Sequence, residues 1–193
     1  MSAIDSLLAE VKHCTRCEQH LPHRPRPLLQ VSPSAKILIA GQAPGRKAHA
    51  SGVPFDDPSG DRLRQWMGIS REVFYDASRV ALLPMGFCYP GKGKSGDLPP
   101  RRECEPAWRE QLLAQMPEIR LTLVLGQYAQ RYHFGSAESS LTERVKSWRS
   151  WWPETVPLPH PSPRNNSWLS KNPWFETDLL PALKRRVALV LGA

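Results

Sequence analysis

The sequence predicts an α/β fold, a three-layer α-β-α sandwich with a central, mainly parallel four-stranded sheet. Short apolar runs open at Ile37, Arg79, Leu121 and Thr155, too brief for helices and too continuous for half-exposed strands. Between them the apolar period changes to that of helices. Strands alternating with helices are joined as parallel neighbours between two helical layers. A length of 193 residues suits one domain, residues 1–193, with a core of its own.

Each element has a local reason. Ser2 caps a first helix whose Ile4, Leu7, Leu8 and Val11 share one face. The helix runs into Cys14-Thr-Arg-Cys17, and the Pro- and Arg-rich stretch from His20 to Pro33 predicts an irregular crossing. Ile37–Ala40 then breaks abruptly into Gly41-Gln42-Ala43-Pro44-Gly45. Ligands of open α/β sheets gather at such strand ends; Gly41 and Gly45 permit close backbone approach, and Pro44 stiffens the turn. After a loop carrying His49, Ser59-Gly60 begins a helix with Leu63, Trp66, Met67 and Ile69, so Asp56 and Asp57 stand just before its N-terminus. The second strand opens at Arg79 and runs into a loop that carries Lys92 and Lys94 and ends at Arg101, Arg102 and Cys104. Trp108, Leu112, Leu113 and Met116 fit one face of the next helix. Leu121–Gly126 is the third strand, followed by a helix from about Gln127 and another over 138–150. Thr155–His160 is the fourth strand, and a helix from Pro173 to Leu191 ends the series.

The formal net charge of +8 favours a polyanionic partner, nucleic acid first, against the simpler reading of a solubilising surface. Residues 1–12 contain acidic side chains and no long apolar core, so they do not read as a signal peptide, and no apolar run approaches membrane-spanning length. The expectation is a cytoplasmic protein without membrane contact. In that reducing compartment the four cysteines are better suited to metal ligation or burial than to disulfides. Cys14-x-x-Cys17 brings two thiolates to one centre; a thioredoxin-like redox pair needs a different strand and helix context. With Cys88 and Cys104 the set becomes four, which suits either tetrahedral zinc or an iron-sulfur cube, and spacing alone does not choose.

The stretch Gly41-Gln-Ala-Pro-Gly45, with Gly52-Val-Pro-Phe55 and Ser59-Gly60, resembles the first motif of the uracil-DNA glycosylase superfamily, especially its iron-sulfur branches, families 4 and 5. Those branches read G-E-x-P-G, then G-x-P-F and A-G or S-G. His160-Pro161-Ser162-Pro163 resembles the second motif, H-P-S-P, and the order and separation of the cysteines resemble the four-cysteine iron-sulfur site of the same branches. The resemblance spans roughly residues 10–190. It implies a [4Fe-4S] cluster on Cys14, Cys17, Cys88 and Cys104, with zinc as the alternative, holding the loop 89–103 near the DNA backbone.

The implied chemistry assigns roles to the rest. A base inside the duplex must be rotated out, which requires a basic face, a wedge and a platform for the base. Phe55 is the expected platform, with Gly41, Ala43 and Gly86 shaping the base site; Ser162, Arg164, Asn165 and Asn166 press on the DNA, Arg164 as wedge, and Lys92 and Lys94 meet the backbone. Breaking the N-glycosidic bond puts positive charge on the sugar and negative charge on the base, so a carboxylate is needed near C1′ and donors toward the base. Aligned on Ser59-Gly60, Asp57 matches an aspartate that positions water, whereas Asp56 reads as a solvated neighbour or a helix cap. Gln42 stands where the family 4 motif has glutamate; its neutral amide can orient a water without taking its proton. His160 is the expected donor to the base oxygen, and His49 reads as a surface histidine. No lysine is placed as a Schiff-base nucleophile, which implies a monofunctional enzyme without strand cleavage; a monomer is expected. The uracil-reading branch has an asparagine four residues before its third cysteine, and here that position is Pro84, which has no side-chain donor or acceptor. Relaxed base specificity follows, with Met85–Tyr89 shaping the pocket by contact. The rival readings are a non-catalytic binder of damaged or modified DNA and, more distantly, an unrelated α/β hydrolase acting on a small nucleoside.

Overall fold

The computed structural model describes residues 2–135 and 139–192. Strands β1 (Ile37–Ala40), β2 (Val80–Leu82), β3 (Leu121–Leu125) and β4 (Thr155–Leu158) form a four-stranded sheet in the order β2-β1-β3-β4. Every neighbouring pair is parallel, with Ile39 opposite Leu82 on one side and Leu123 on the other, and Leu123 opposite Val156. Pro157 sits in β4, an edge strand, the position where a residue without an N–H costs the ladder least.

Successive side chains of a strand point to opposite faces, and here both faces are covered. Ile37, Ile39, Val80, Leu82, Leu121, Leu123 and Val156 pack against α3 (Pro58–Met67), α4 (Arg71–Phe74), α7 (Leu141–Lys146) and α9 (Leu180–Leu191) through Leu63, Trp66, Phe74, Val145 and Leu183. Leu38, Ala81 and Leu83 point the other way, onto α1 (Ala3–Lys12) and α5 (Glu110–Ala114), while Ala40 and Val124 meet Ala129 of α6 (Gly126–Phe134). That double burial is why the strands read as unbroken apolar runs.

Helix ends follow the local chemistry. Ser2 and Asp5 make a reciprocal capping box at α1. Gly68, at φ 70°, ends α3, so Ile69 lies beyond the helix that its spacing suggested. The expected loop after Gly45 contains a short helix, α2 (Arg46–Ser51), and α4 and α8 (Asn166–Lys171) were not anticipated either. The helix expected over 138–150 is α7 followed by a tight turn at Trp148–Ser150; its first expected residue lies outside the described residues. The C-terminal helix opens with a wider π-type turn, Phe175–Leu179, before α9. Among the described residues no helix is long and apolar enough to cross a membrane.

Candidate active site

The C-terminal ends of the strands open into a cleft of about 610 Å3. Its walls are the Gly41–Gly45 turn after β1, Pro54, Phe55, Asp57 and Ser59 around the start of α3, Leu82 and Pro84 at the end of β2, Ser95 to Leu98, Gln127 and Tyr128 at the start of α6, and His160, Ser162, Arg164 and Asn165 after β4. The turns after β1 and β2 run side by side, because the Gly41 carbonyl accepts from the Met85 N–H at 2.9 Å and the Gln42 carbonyl from the Gly86 N–H at 3.0 Å.

Phe55 has φ 57°, a left-handed backbone that a bulky residue adopts only when its surroundings enforce it. The enforcement is visible. Gly60 lies so close under the Phe55 carbonyl that any Cβ there would collide with the oxygen, and the Tyr75 hydroxyl donates to the Pro54 carbonyl at 2.8 Å. The ring is thereby laid over Gly41, where a Cβ would come within 3.3 Å of Cζ, and it meets Phe74 edge-on at 5.9 Å. Gly41, Ala43, Gln42 and Phe55 all line the cleft as expected.

The two aspartates separate cleanly. Asp57 is the N-cap of α3, with Oδ1 accepting from the Gly60 N–H at 2.9 Å and Oδ2 turned toward Gly45. Asp56 points away and pairs with Arg71 at 3.0 Å. The helix cap is therefore Asp57, not Asp56, and Asp57 still offers one oxygen to the cleft. Across from it, the half-buried His160 accepts the Ser162 N–H on Nδ1 at 3.2 Å. A ring nitrogen that accepts carries no proton, so the neutral imidazole holds its proton on Nε2. Burial pushes the His160 pKa down, opposed by the charge of Asp57, which keeps the ring neutral at physiological pH.

The loop after His160 is held from inside the protein. Asn165 donates to the His160 carbonyl at 2.7 Å, and Arg62 of α3 donates to the Ser162 carbonyl at 3.0 Å and to Asn166 Oδ1 at 2.8 Å. Asn165, expected on the DNA, spends its amide on bracing this turn. Arg164 is exposed and reaches across the mouth of the cleft to donate to the Ser95 carbonyl at 3.2 Å. Ser95 belongs to a hairpin, residues 91–98, closed by the Leu98 N–H to Gly91 carbonyl bond at 2.8 Å, which carries the exposed Lys92 and Lys94.

Three expectations change. Gly86 does not line the cleft; a Cβ there would meet Pro100 at 3.0 Å, so its missing side chain makes room for the segment leading to Cys104. Met85 and Phe87 are core residues and not pocket walls. His49 is half-buried and not a surface group: its ring stacks on His23 at 5.1 Å, its Nδ1 has no hydrogen-bond partner, and burial, then His23 and Arg26, push its pKa down. Arg62, Asp97, Gln127, Tyr128 and Arg109 escaped the sequence reading. Arg109, buried and without an ion pair among the described residues, donates to the carbonyls of Leu83 at 2.9 Å and Pro84 at 3.1 Å and to His133 Nε2 at 3.0 Å. It fixes the wall that Pro84 presents to the cleft, and burial pushes its own pKa down to about 10.

The four cysteines are free thiols, Cys14 half-buried and the other three buried. Cys17, Cys88 and Cys104 stand in one another's field and in that of Cys14. Burial first pushes Cys88 up to about 12 and Cys104 to about 11, with the neighbouring thiols adding to both. Among the described residues no three His, Cys, Asp or Glu side chains are arranged to hold a single metal ion. Four unpaired thiols gathered from three segments, with Trp108 Nε1 donating to Cys14 Sγ at 3.4 Å, are a donor set of the right number and softness for a thiolate-bound metal centre, whose cationic charge reverses the cost of deprotonating them.

The sequence model of the uracil DNA glycosylase superfamily matches residues 29–184. A type-4 uracil-DNA glycosylase of Sulfurisphaera tokodaii is 26% identical over 156 residues, which cover 77% of this chain and 67% of that protein. A solution NMR structure from Methanosarcina acetivorans, provisionally described as a uracil DNA glycosylase, is similar with 18% identity and a TM-score of 0.48, over 81% of this chain and 93% of that one. The chain belongs to the uracil DNA glycosylase superfamily.

Proposed function

From that membership, we propose that the protein is a monofunctional DNA glycosylase that hydrolyses the N-glycosidic bond of a flipped-out uracil or other deaminated or modified base, acting as a monomer with relaxed base specificity. The observation that carries the reading is the meeting of Asp57 and His160 in one cleft, each fixed by a backbone N–H and each with its second polar atom uncommitted by that bond. The base enters beneath Phe55 and against Gly41 and Ala43. His160 Nε2–H donates to the base oxygen as negative charge grows there; its neutrality suits a hydrogen-bond donor that must not lose its proton outright. Asp57 holds a water and stabilises the positive sugar, and Gln42 orients substrate or water through its amide. Arg164 and Ser162 at the cleft and the exposed Lys92 and Lys94 of the hairpin meet the DNA backbone, and Arg164 leaves Ser95 to fill the vacated stack.

Cys14, Cys17, Cys88 and Cys104 would hold a [4Fe-4S] cluster, which supplies structure here because base excision needs no electron transfer. Cys104 begins the helical segment that carries Arg109, so this centre would brace the wall at Pro84. Pro84 presents no side-chain polar group to a base edge, which supports relaxed selection, since strong rejection comes from polar groups that the wrong base leaves unpaired.

The test is single-turnover cleavage of duplex and single-stranded oligonucleotides bearing uracil, hypoxanthine, xanthine, thymine or cytosine. Release of several deaminated bases, leaving intact abasic strands, is expected. Tight binding with no release on any substrate would replace the enzyme by a non-catalytic reader of damaged DNA. Strong rejection of every base but uracil would show that another residue has taken the missing asparagine's place.

A further inference from the structure

The hairpin over the cleft brings a second carboxylate to the side of Asp57. Gly45 has no side chain, and a Cβ built there would lie 3.6 Å from Asp97 Oδ2 and 3.7 Å from Asp57 Oδ2. The two oxygens converge on one gap from different parts of the chain, Asp57 from the N-terminus of α3 and Asp97 from the hairpin, and both residues line the cleft that contains His160. We propose that Asp97 is a catalytic residue of this site, sharing with Asp57 the water that attacks C1′.

The bland alternative is that Asp97 serves the hairpin, where it stands opposite Lys92 across the antiparallel bridge. Among the described residues, however, Asp97 makes no ion pair. The hairpin is instead tied by main-chain bonds and by the donation from Arg164 to Ser95, while the exposed Asp97 carboxylate stands within hydrogen-bonding reach of the Tyr89 hydroxyl and turns Oδ2 toward Gly45. Its charge also reaches the neighbouring Tyr89, whose pKa rises first through burial and then through Asp97.

Two carboxylates can divide work that would otherwise fall on one. A water whose two hydrogens are each accepted by a carboxylate has its lone pair directed outward, toward a sugar carbon held beneath. As its oxygen bonds to C1′, the C1′–N bond breaks and its electron pair leaves with the base, held against His160 Nε2–H. One water proton passes to Asp57 and is the equivalent of the proton that the released base regains, while Asp97 keeps its charge opposite the cationic sugar. Inverting glycoside hydrolases likewise use a carboxylate to take the proton of the water that cuts a related bond, although their second carboxyl group acts on the leaving group instead of on that water. Gly45 leaves room for the water between Asp57 and Asp97.

This rests on the glycosylase reading, and the experiment keeps the two apart. Wild type, Asp97→Asn, Asp57→Asn and the double variant are compared in single-turnover cleavage on the base panel, with binding to a duplex carrying a tetrahydrofuran abasic analogue measured in parallel. Asp97→Asn should lose roughly 10²-fold in cleavage while binding the abasic duplex as wild type does. The double variant should lose far less than the product of the single losses, because both residues act on one water. Cleavage by Asp97→Asn at the wild-type rate, losses that multiply, or a loss that follows weakened DNA binding would each overturn the proposal. A wild-type protein silent on every base would overturn the glycosylase reading and this proposal with it.

Discussion

Asp57 is both helix cap and proposed catalytic carboxylate, and two substitutions separate the roles. Its Oδ1 satisfies one of the open N–H groups at the start of α3, at 2.9 Å from Gly60 N. Asparagine caps as well as aspartate, so Asp57→Asn should leave stability nearly unchanged, whereas Asp57→Ala should lose about 1 kcal/mol. In a chain of this size that corresponds to roughly 2–4 °C in melting temperature. Cleavage should fall by roughly 10²–10⁴-fold in both variants, the usual scale for a positioned acid or base, and binding of abasic-analogue duplex should persist in Asp57→Asn. Thermal unfolding and single-turnover cleavage on the same preparations decide the matter. If Asp57→Asn cleaves at the wild-type rate, the charge is not needed; if Asp56→Asn loses cleavage instead, the water belongs to the carboxylate now paired with Arg71.

Purified without chelators and away from oxygen, the protein should be brown, absorbing near ~400 nm, and Cys88→Ala should bleach and destabilise it; a colourless protein with stoichiometric zinc would defeat the cluster assignment. Arg164→Ala should weaken binding to duplex more than to single-stranded DNA, because a wedge acts only where a stack is opened, and equal losses would reduce Arg164 to a phosphate contact. His133 must accept from Arg109, and burial, then that cation, push its pKa down to about 4. The unfolded chain therefore binds the extra proton first, and stability at this site is complete above about pH 6.5 and lost as pH falls toward 4. Melting temperatures should fall less steeply across that window for His133→Gln, which accepts the same bond without titrating, and identical slopes would refute the coupling.

Local chemistry was legible in this sequence, and closure over long separations was not. The strand from Ile37, the turn Gly41–Gly45 and the His160 turn each state their conformation within a few residues, because a buried strand, a glycine turn and a proline-stiffened loop are short-range choices. The cap shows the limit of that reasoning: Asp56 and Asp57 are equivalent as neighbours in sequence, and only the left-handed Phe55 and the close passage of Gly60 decide which one turns inward. The residues that escaped were those whose meaning lies across the fold. Arg62 braces a carbonyl 100 positions away, and Arg109 reaches back 25 and 26 positions to two carbonyls beside the cleft. An arginine in an apolar helical face gives no sign of such a partner, since its stem packs like an aliphatic side chain and its charge reads as surface. Asp97 is the sharpest case. In a loop of glycine, lysine and serine it has the composition of solvent-exposed chain, and its approach to Asp57 beside Gly45 is made only by the fold. What the sequence did contain was that glycine, whose use lies less in its own backbone freedom than in the space it leaves between two carboxylates.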